Sequence, residues 1–153
     1  MNGRRRIIQS GIALFVVPTV LLAASTMRAQ QCSAKTTVGR YVVICEGYLT
    51  PRPNAPLTFA KELGVVTGDA TGTFKGNGKL SLGGEILEHA VTGMAVISPD
   101  CTGTITYHQT IDGQPLPDFH DTFVISEGGN RIDGMATDSG SVFFCKLRRI
   151  SEE

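Results

Sequence analysis

Residues Ser98–Tyr107 read Ser-Pro-Asp-Cys-Thr-Gly-Thr-Ile-Thr-Tyr. Proline, aspartate and glycine crowded together mark a tight turn. From Thr104 the chain then alternates, with Thr104, Thr106, His108 and Thr110 on one side and Ile105, Tyr107, Gln109 and Ile111 on the other. That period of two is the signature of a strand with one buried face. The stretch is therefore a hairpin junction with a cysteine, Cys101, on its turn. Outside the cytoplasm a thiol there has a ready use, which is to tether another part of the chain.

The same rhythm runs in both directions. Strand-like segments cover Val38–Leu49, Leu57–Thr67, Thr73–Leu82, Glu85–Ser98, Thr104–Ile111, Pro117–Ser126, Arg131–Thr137 and Ser141–Arg149. No helical period competes with them in residues 38–150. The connectors have their own chemistry. Thr50–Pro56 holds prolines that cannot donate to a ladder. Gly68–Gly72, Gly83-Gly84, Asp112–Pro115, Glu127–Asn130 and Asp138–Gly140 supply the Gly, Asp and Asn that turns select. Short connections make consecutive strands antiparallel neighbours. Eight such strands in a meander lose their edges by closing into a barrel, and the alternative is a two-sheet sandwich. The predicted fold is all-β, an eight-stranded antiparallel up-and-down barrel over residues 38–150, preceded by an N-terminal segment, 30–37.

Residues 1–29 form a separate unit. Arg4, Arg5 and Arg6 precede an apolar run from Ile7 to Ala24, and small residues follow. This is the layout of a cleaved signal peptide, and the run is shorter than a spanning helix wants. The expected destination is secreted or periplasmic, with no membrane insertion of the mature protein. Residues 1–29 contain four arginines and no acid, so the rest carries 10 basic and 14 acidic residues. That balance argues against nucleic acid as a partner. About 120 residues suffice for one domain with its own core.

Four cysteines, Cys32, Cys45, Cys101 and Cys145, allow three pairings. Topology selects among them. Strand one begins at the end of the barrel where the Cys101 turn lies, and Cys32 precedes that strand. Cys45 and Cys145 fall in the first and last strands, which closure makes neighbours. The expected disulfides are Cys32–Cys101 and Cys45–Cys145. No CxxC occurs, and no metal or cofactor is expected.

Ligand-binding candidates follow from parity. Pairing Ile111 with Pro117 sets Tyr107 opposite Asp121. Pairing Ile97 with Ile105 sets Ala95 opposite Tyr107 and Gly93 opposite Gln109. Tyr107, Gln109 and Asp121 then point inward, and His89 shares that face of its strand. Converging polar groups in an apolar lumen are what a small-molecule site needs, and Asp121 beside a tyrosine has the makings of an acid or base. A buried tyrosine that merely gives its hydroxyl a partner is the structural alternative. His120 and Asp121 cannot share a site, because neighbours in a strand face opposite ways. Gly-x-Gly spacings at Gly76 and Gly78 lack a following helix, so they make no phosphate cradle. Asp69 reads as an Asx turn rather than a calcium loop. No nucleophile triad is present, and no catalytic residue is assigned.

At Thr67–Gly84, Ser98–Tyr107 and Thr137–Ile150 the chain resembles a group of uncharacterised secreted bacterial proteins. They share a G-D-x-x-G-x-F-x-G turn, a P-D-C-T-G-T turn and a late T-D-x-G turn. More loosely the layout is similar to calycin and allene-oxide-cyclase-like barrels, although Gly39-Arg40-Tyr41 stands where lipocalins have G-x-W. The resemblance implies a fold and carries over no catalytic residue.

Three functions fit these residues. The first is lumenal binding of a small apolar ligand, motivated by the small inward residues Gly76, Gly78, Gly93, Ala95 and Ala136. The second is a structural or interaction role in the cell envelope, with a solid barrel and a threonine-rich outer face. The third is an isomerase or cyclase using Tyr107 and Asp121.

Overall fold

The computed structural model describes residues 31–50 and 55–150. The expected signal peptide and residues 51–54 of the proline-rich connector lie outside the described residues. A short 3-10 turn, Ala34–Thr37, leads into β1 (Gly39–Leu49), β2 (Thr58–Gly68), β3 (Thr73–Leu82), β4 (Glu85–Ile97) and β5 (Thr102–Ile111). A two-residue strand β6 (Gln114–Pro115) precedes β7 (Phe119–Ser126), β8 (Arg131–Ala136) and β9 (Val142–Arg149).

All pairings are antiparallel, and β9 returns to β1. Leaving β6 aside, eight strands close a continuous barrel, with β4 joined to β5 and β5 to β7. The sandwich alternative is excluded, because closure leaves no free edge among the eight.

Turn chemistry sets the register. Gly83 and Gly84 both have positive φ, as a two-residue hairpin requires. Asp112 and Gly113 do the same and fold β6 back onto Thr110 and Ile111. This hairpin displaces the start of β7 from Pro117 to Phe119. Two expected pairings therefore slide by two residues. Tyr107 pairs with Phe119 and Gly93, while Asp121 pairs with Ile105. Across the Cys101 turn Ile97 meets Gly103, because Ser98 N–H bonds Thr102 O at 2.8 Å and closes a tighter turn. A slide of two keeps parity, so every inward residue stays inward.

The floor explains the turn cysteine. Cys101 takes a φ of 69°, a conformation usually left to glycine. Its sulfur is bonded to Cys32. Cys32 N–H also donates to Pro99 O at 3.2 Å, so the N-terminal segment is drawn beneath the barrel. Cys32, Tyr41, Phe123, Ile125 and Ile132 form the buried cluster there. Burying the Tyr41 ring contributes about 2–3 kcal/mol.

Tyr41 Oη donates to Gly129 O at 2.9 Å. The Arg149 guanidinium lies 5.3 Å above the Tyr41 ring and donates to Thr36 O and Tyr41 Oη, both at 2.7 Å. Only glycine suits position 129. Its φ is 89°, and a Cβ there would lie 2.1 Å from Thr36 O. First strand, last strand, N-terminal turn and the β7–β8 turn are thus clasped in one place.

The second disulfide, Cys45–Cys145, bridges directly paired residues of β1 and β9 and faces the interior. Both disulfides match the expectation, and disulfides persist in oxidising compartments. The outer wall is mixed. Lys61 and Glu46 pair at 3.5 Å, yet Ile44, Tyr48, Phe59 and Leu63 are exposed around them.

Candidate functional site

Above the clasp the barrel holds a cavity of about 150 Å³. Apolar side chains make most of its wall. Glu62, His89, Tyr107, Gln109 and Asp121 bring polar groups to it, and Thr37, Tyr41, Thr50 and Ser141 line it as well. Among the described residues no lysine or arginine lines it.

Alternation on four strands delivers these groups. On β5, threonines and His108 face out while Tyr107 and Gln109 face in. On β7, Phe119, Asp121, Phe123 and Ile125 face in. His89 sits on the inner face of β4 with Val91. The four ligand-binding candidates read from the sequence therefore meet in one lumen.

Glu62 on β2 completes the set, and sequence reasoning missed it. Lys61 outside would have set the parity. Phe59 and Leu63, however, are apolar and also face outward, at 48% and 60% exposure. An amphipathic reading of β2 thus puts Glu62 on the wrong side.

The polar groups form two arms. In the first, His89 Nδ1 lies 3.0 Å from Glu62 Oε1. The approach is close enough for an ion pair but off the line of a hydrogen bond, and Nδ1 has no bonding partner. On the other side of the ring His89 Nε2 meets Gln109 Oε1 at 2.6 Å. A carboxamide oxygen only accepts, so Nε2 carries a proton. Burial alone would lower the imidazole pKa. The close carboxylate of Glu62, with help from the Gln109 hydrogen bond, outweighs it and raises the pKa above the ordinary value.

In the second arm, Tyr107 Oη donates to Asp121 Oδ1 at 3.3 Å, a long bond for a hydroxyl donor. Burial pushes the Asp121 carboxyl up to about 6, against the pull of the Tyr107 hydroxyl. Asp138 and Glu62 add like-charge repulsion, and His120 opposes it. Burial likewise drives the Tyr107 hydroxyl well above its ordinary pKa, so it stays a donor. The Tyr107 and Phe119 rings stack with centroids 5.8 Å apart.

Three other readings resolve. His120 and Asp118 lie on the outer wall but do not pair with each other. His120 joins Asp138 at 2.9 Å, and His108 joins Asp118 at 2.5 Å. Asp69 makes the expected Asx turn, its Oδ1 accepting from Thr71 and Thr73. Gly76, Gly78 and Gly93 do not open the cavity as expected. A Cβ on any of them would meet neighbouring backbone at 2.5–2.6 Å, and at Gly93 also the Phe74 and Tyr107 side chains. They let strands and rings approach closely, as a tightly coiled barrel demands. Ala95 and Ala136 do line the cavity. Among the described residues no cluster of three or more His, Cys, Asp or Glu is placed to hold a metal ion.

Comparison with known proteins finds no matching family model, no matching curated protein and no matching solved structure.

Proposed function

We propose that this protein binds one small, largely apolar molecule inside its barrel, as a secreted or periplasmic protein. The cavity carries the reading: room of about 150 Å³, an apolar wall, and a few converging polar side chains. An eight-stranded barrel is just wide enough to fill with side chains or to keep one small ligand, and a cavity of this volume holds a benzene-sized body. Tyr107, Gln109, Asp121 and His89 are the proposed contacts, with Glu62 added. Kinship with the secreted bacterial proteins that share the P-D-C-T-G-T turn belongs to the same proposal. The acidic balance beyond residue 29 favours a small-molecule partner over nucleic acid. A solid barrel acting only through its outer wall would leave the buried polar arms without a purpose.

Native mass spectrometry tests the reading on protein purified from an oxidising compartment without detergent. An added mass that leaves on collisional activation is the expected result. A bare mass in repeated preparations, with no uptake of small aromatic compounds, overturns it.

A second reading has one observation behind it. Asp121 changes protonation near pH 6 beside a hydroxyl donor, which suits proton transfer in an isomerase or cyclase. Deuterium incorporation into the captured compound in D2O would support it. An unlabelled compound returns Tyr107 and Asp121 to a binding role.

A further inference from the structure

The lumen's charges do not balance. Two carboxyl groups, Glu62 and Asp121, line the cavity against one imidazole, His89. Glu62 has its countercharge within 3.0 Å. Asp121 has none. It is 8% exposed, and its one hydrogen bond among the described residues is the long contact from Tyr107. A buried carboxylate without a cation is costly, and such groups are usually paired. Protein stability gives no reason to keep it there.

Aromatic rings share the cavity with it. Tyr107 and Phe119 stack beside Asp121, and Phe74, Phe123 and Phe143 line the same cavity. Aromatic faces attract organic cations, the more so when desolvated. A carboxylate, aromatic rings and a wall without lysine or arginine among the described residues select a positive ligand and repel a negative one.

We infer that the lumen's occupant is a small organic cation: a ring-sized apolar body bearing one protonated amine, with the ammonium set against Asp121. The inference rests on the lumenal binding reading above and adds the chemical class. The ammonium supplies the missing countercharge and donates to the carboxylate. The body fills the apolar part of the cavity. Glu62, paired with His89, adds to the negative potential at Asp121.

Titration calorimetry of the whole protein at pH 7.5 tests it with three probes of one size: benzylamine, benzyl alcohol and benzoate. Benzylamine is expected to bind at least tenfold more tightly than benzyl alcohol, and benzoate more weakly than either. Asp121→Asn should abolish the tenfold preference of amine over alcohol, with circular dichroism showing that the variant is folded. Should that variant fail to fold, acidification of the native protein reads the same group. Benzylamine stays protonated from pH 7.5 to 5, so its affinity should fall as Asp121 takes up a proton while benzyl alcohol is unaffected. Tyr107, Glu62, Asp138 and His120 face or act on Asp121 and set that midpoint jointly. Equal binding of amine and alcohol, or a preference that survives Asp121→Asn, overturns the cation and leaves lumenal binding standing. No uptake of any probe at millimolar concentration overturns both.

Discussion

The floor and the lumen of this barrel are built by opposite rules. At the floor the devices close and tie strands together. A disulfide bolts Cys32 to Cys101, Tyr41 fills the base, and Arg149 spends its donors on Thr36, Tyr41 and Gly129. In the lumen, a few residues higher on the same strands, polar groups stand in apolar surroundings with their charges unbalanced. The comparison separates stability from function. Where only stability matters, most buried polar groups are satisfied, and at the floor the Arg149 Nε is the exception. Where they are left short of partners, a ligand is the economical explanation.

The largest expected effect lies at the floor. Replacing Cys32 and Cys101 together by alanine frees a 69-residue loop. The chain-entropy model puts the loss at about 4 kcal/mol, read by urea denaturation. A loss below about 1 kcal/mol would show that the clasp, not the disulfide, holds the floor.

The lumen gives the next effect, with an unusual sign. An acid whose pKa rises on folding is destabilising once ionised. For Asp121, raised to about 6, stability grows as pH falls from about 6 towards 4. At full shift the gain is about 3 kcal/mol. His89, raised above 6.5, stabilises below that value and loses the contribution as pH rises through its folded value. Both groups make the protein more stable at pH 5 than at pH 8. Asp69 and Asp100, lowered by their turn hydrogen bonds, pull the other way only as pH falls below 3.8. Melting curves across this range should slope accordingly, and Asp121→Asn should flatten the part between 4 and 6. A wild-type curve rising from pH 5 to pH 8 would contradict the buried-charge account.

Tyr41→Phe keeps the ring and removes the hydroxyl that links Arg149 to Gly129. The expected loss is about 2 kcal/mol, from polar groups left unsatisfied at the clasp. Tyr41 also lines the cavity, but phenylalanine keeps the ring, so ligand uptake by the variant at 10 °C should persist and separates the two regions. The smallest effect belongs to the outer wall. His108→Ala removes a well-exposed pair with Asp118 and should cost less than about 1 kcal/mol.

The legibility of these regions differs for physical reasons. Strand existence, the turns and the two disulfides could be read because each rests on local rules: period two, positive-φ residues, and the neighbourhood that closure imposes on Cys45 and Cys145. Tyr107, Gln109, Asp121 and His89 could be placed in the lumen because parity survives a register error of two. The register itself could not, since the Asp112-Gly113 hairpin consumed residues that the alternation assigned to a strand. The glycines misled for a related reason. A missing side chain looks like space in one dimension, and here neighbouring strands fill it.

By itself the sequence determined the strand count, the inward faces and the cysteine pairing, because these follow from alternation, turn geometry and topology. Only the tertiary structure decided that Glu62 turns inward beneath an apolar outer wall. It also decided that Arg149 crosses the floor to Tyr41 and that no cation among the described residues pairs with Asp121. Charge balance in a cavity depends on which strands face each other across it, and no local pattern encodes that.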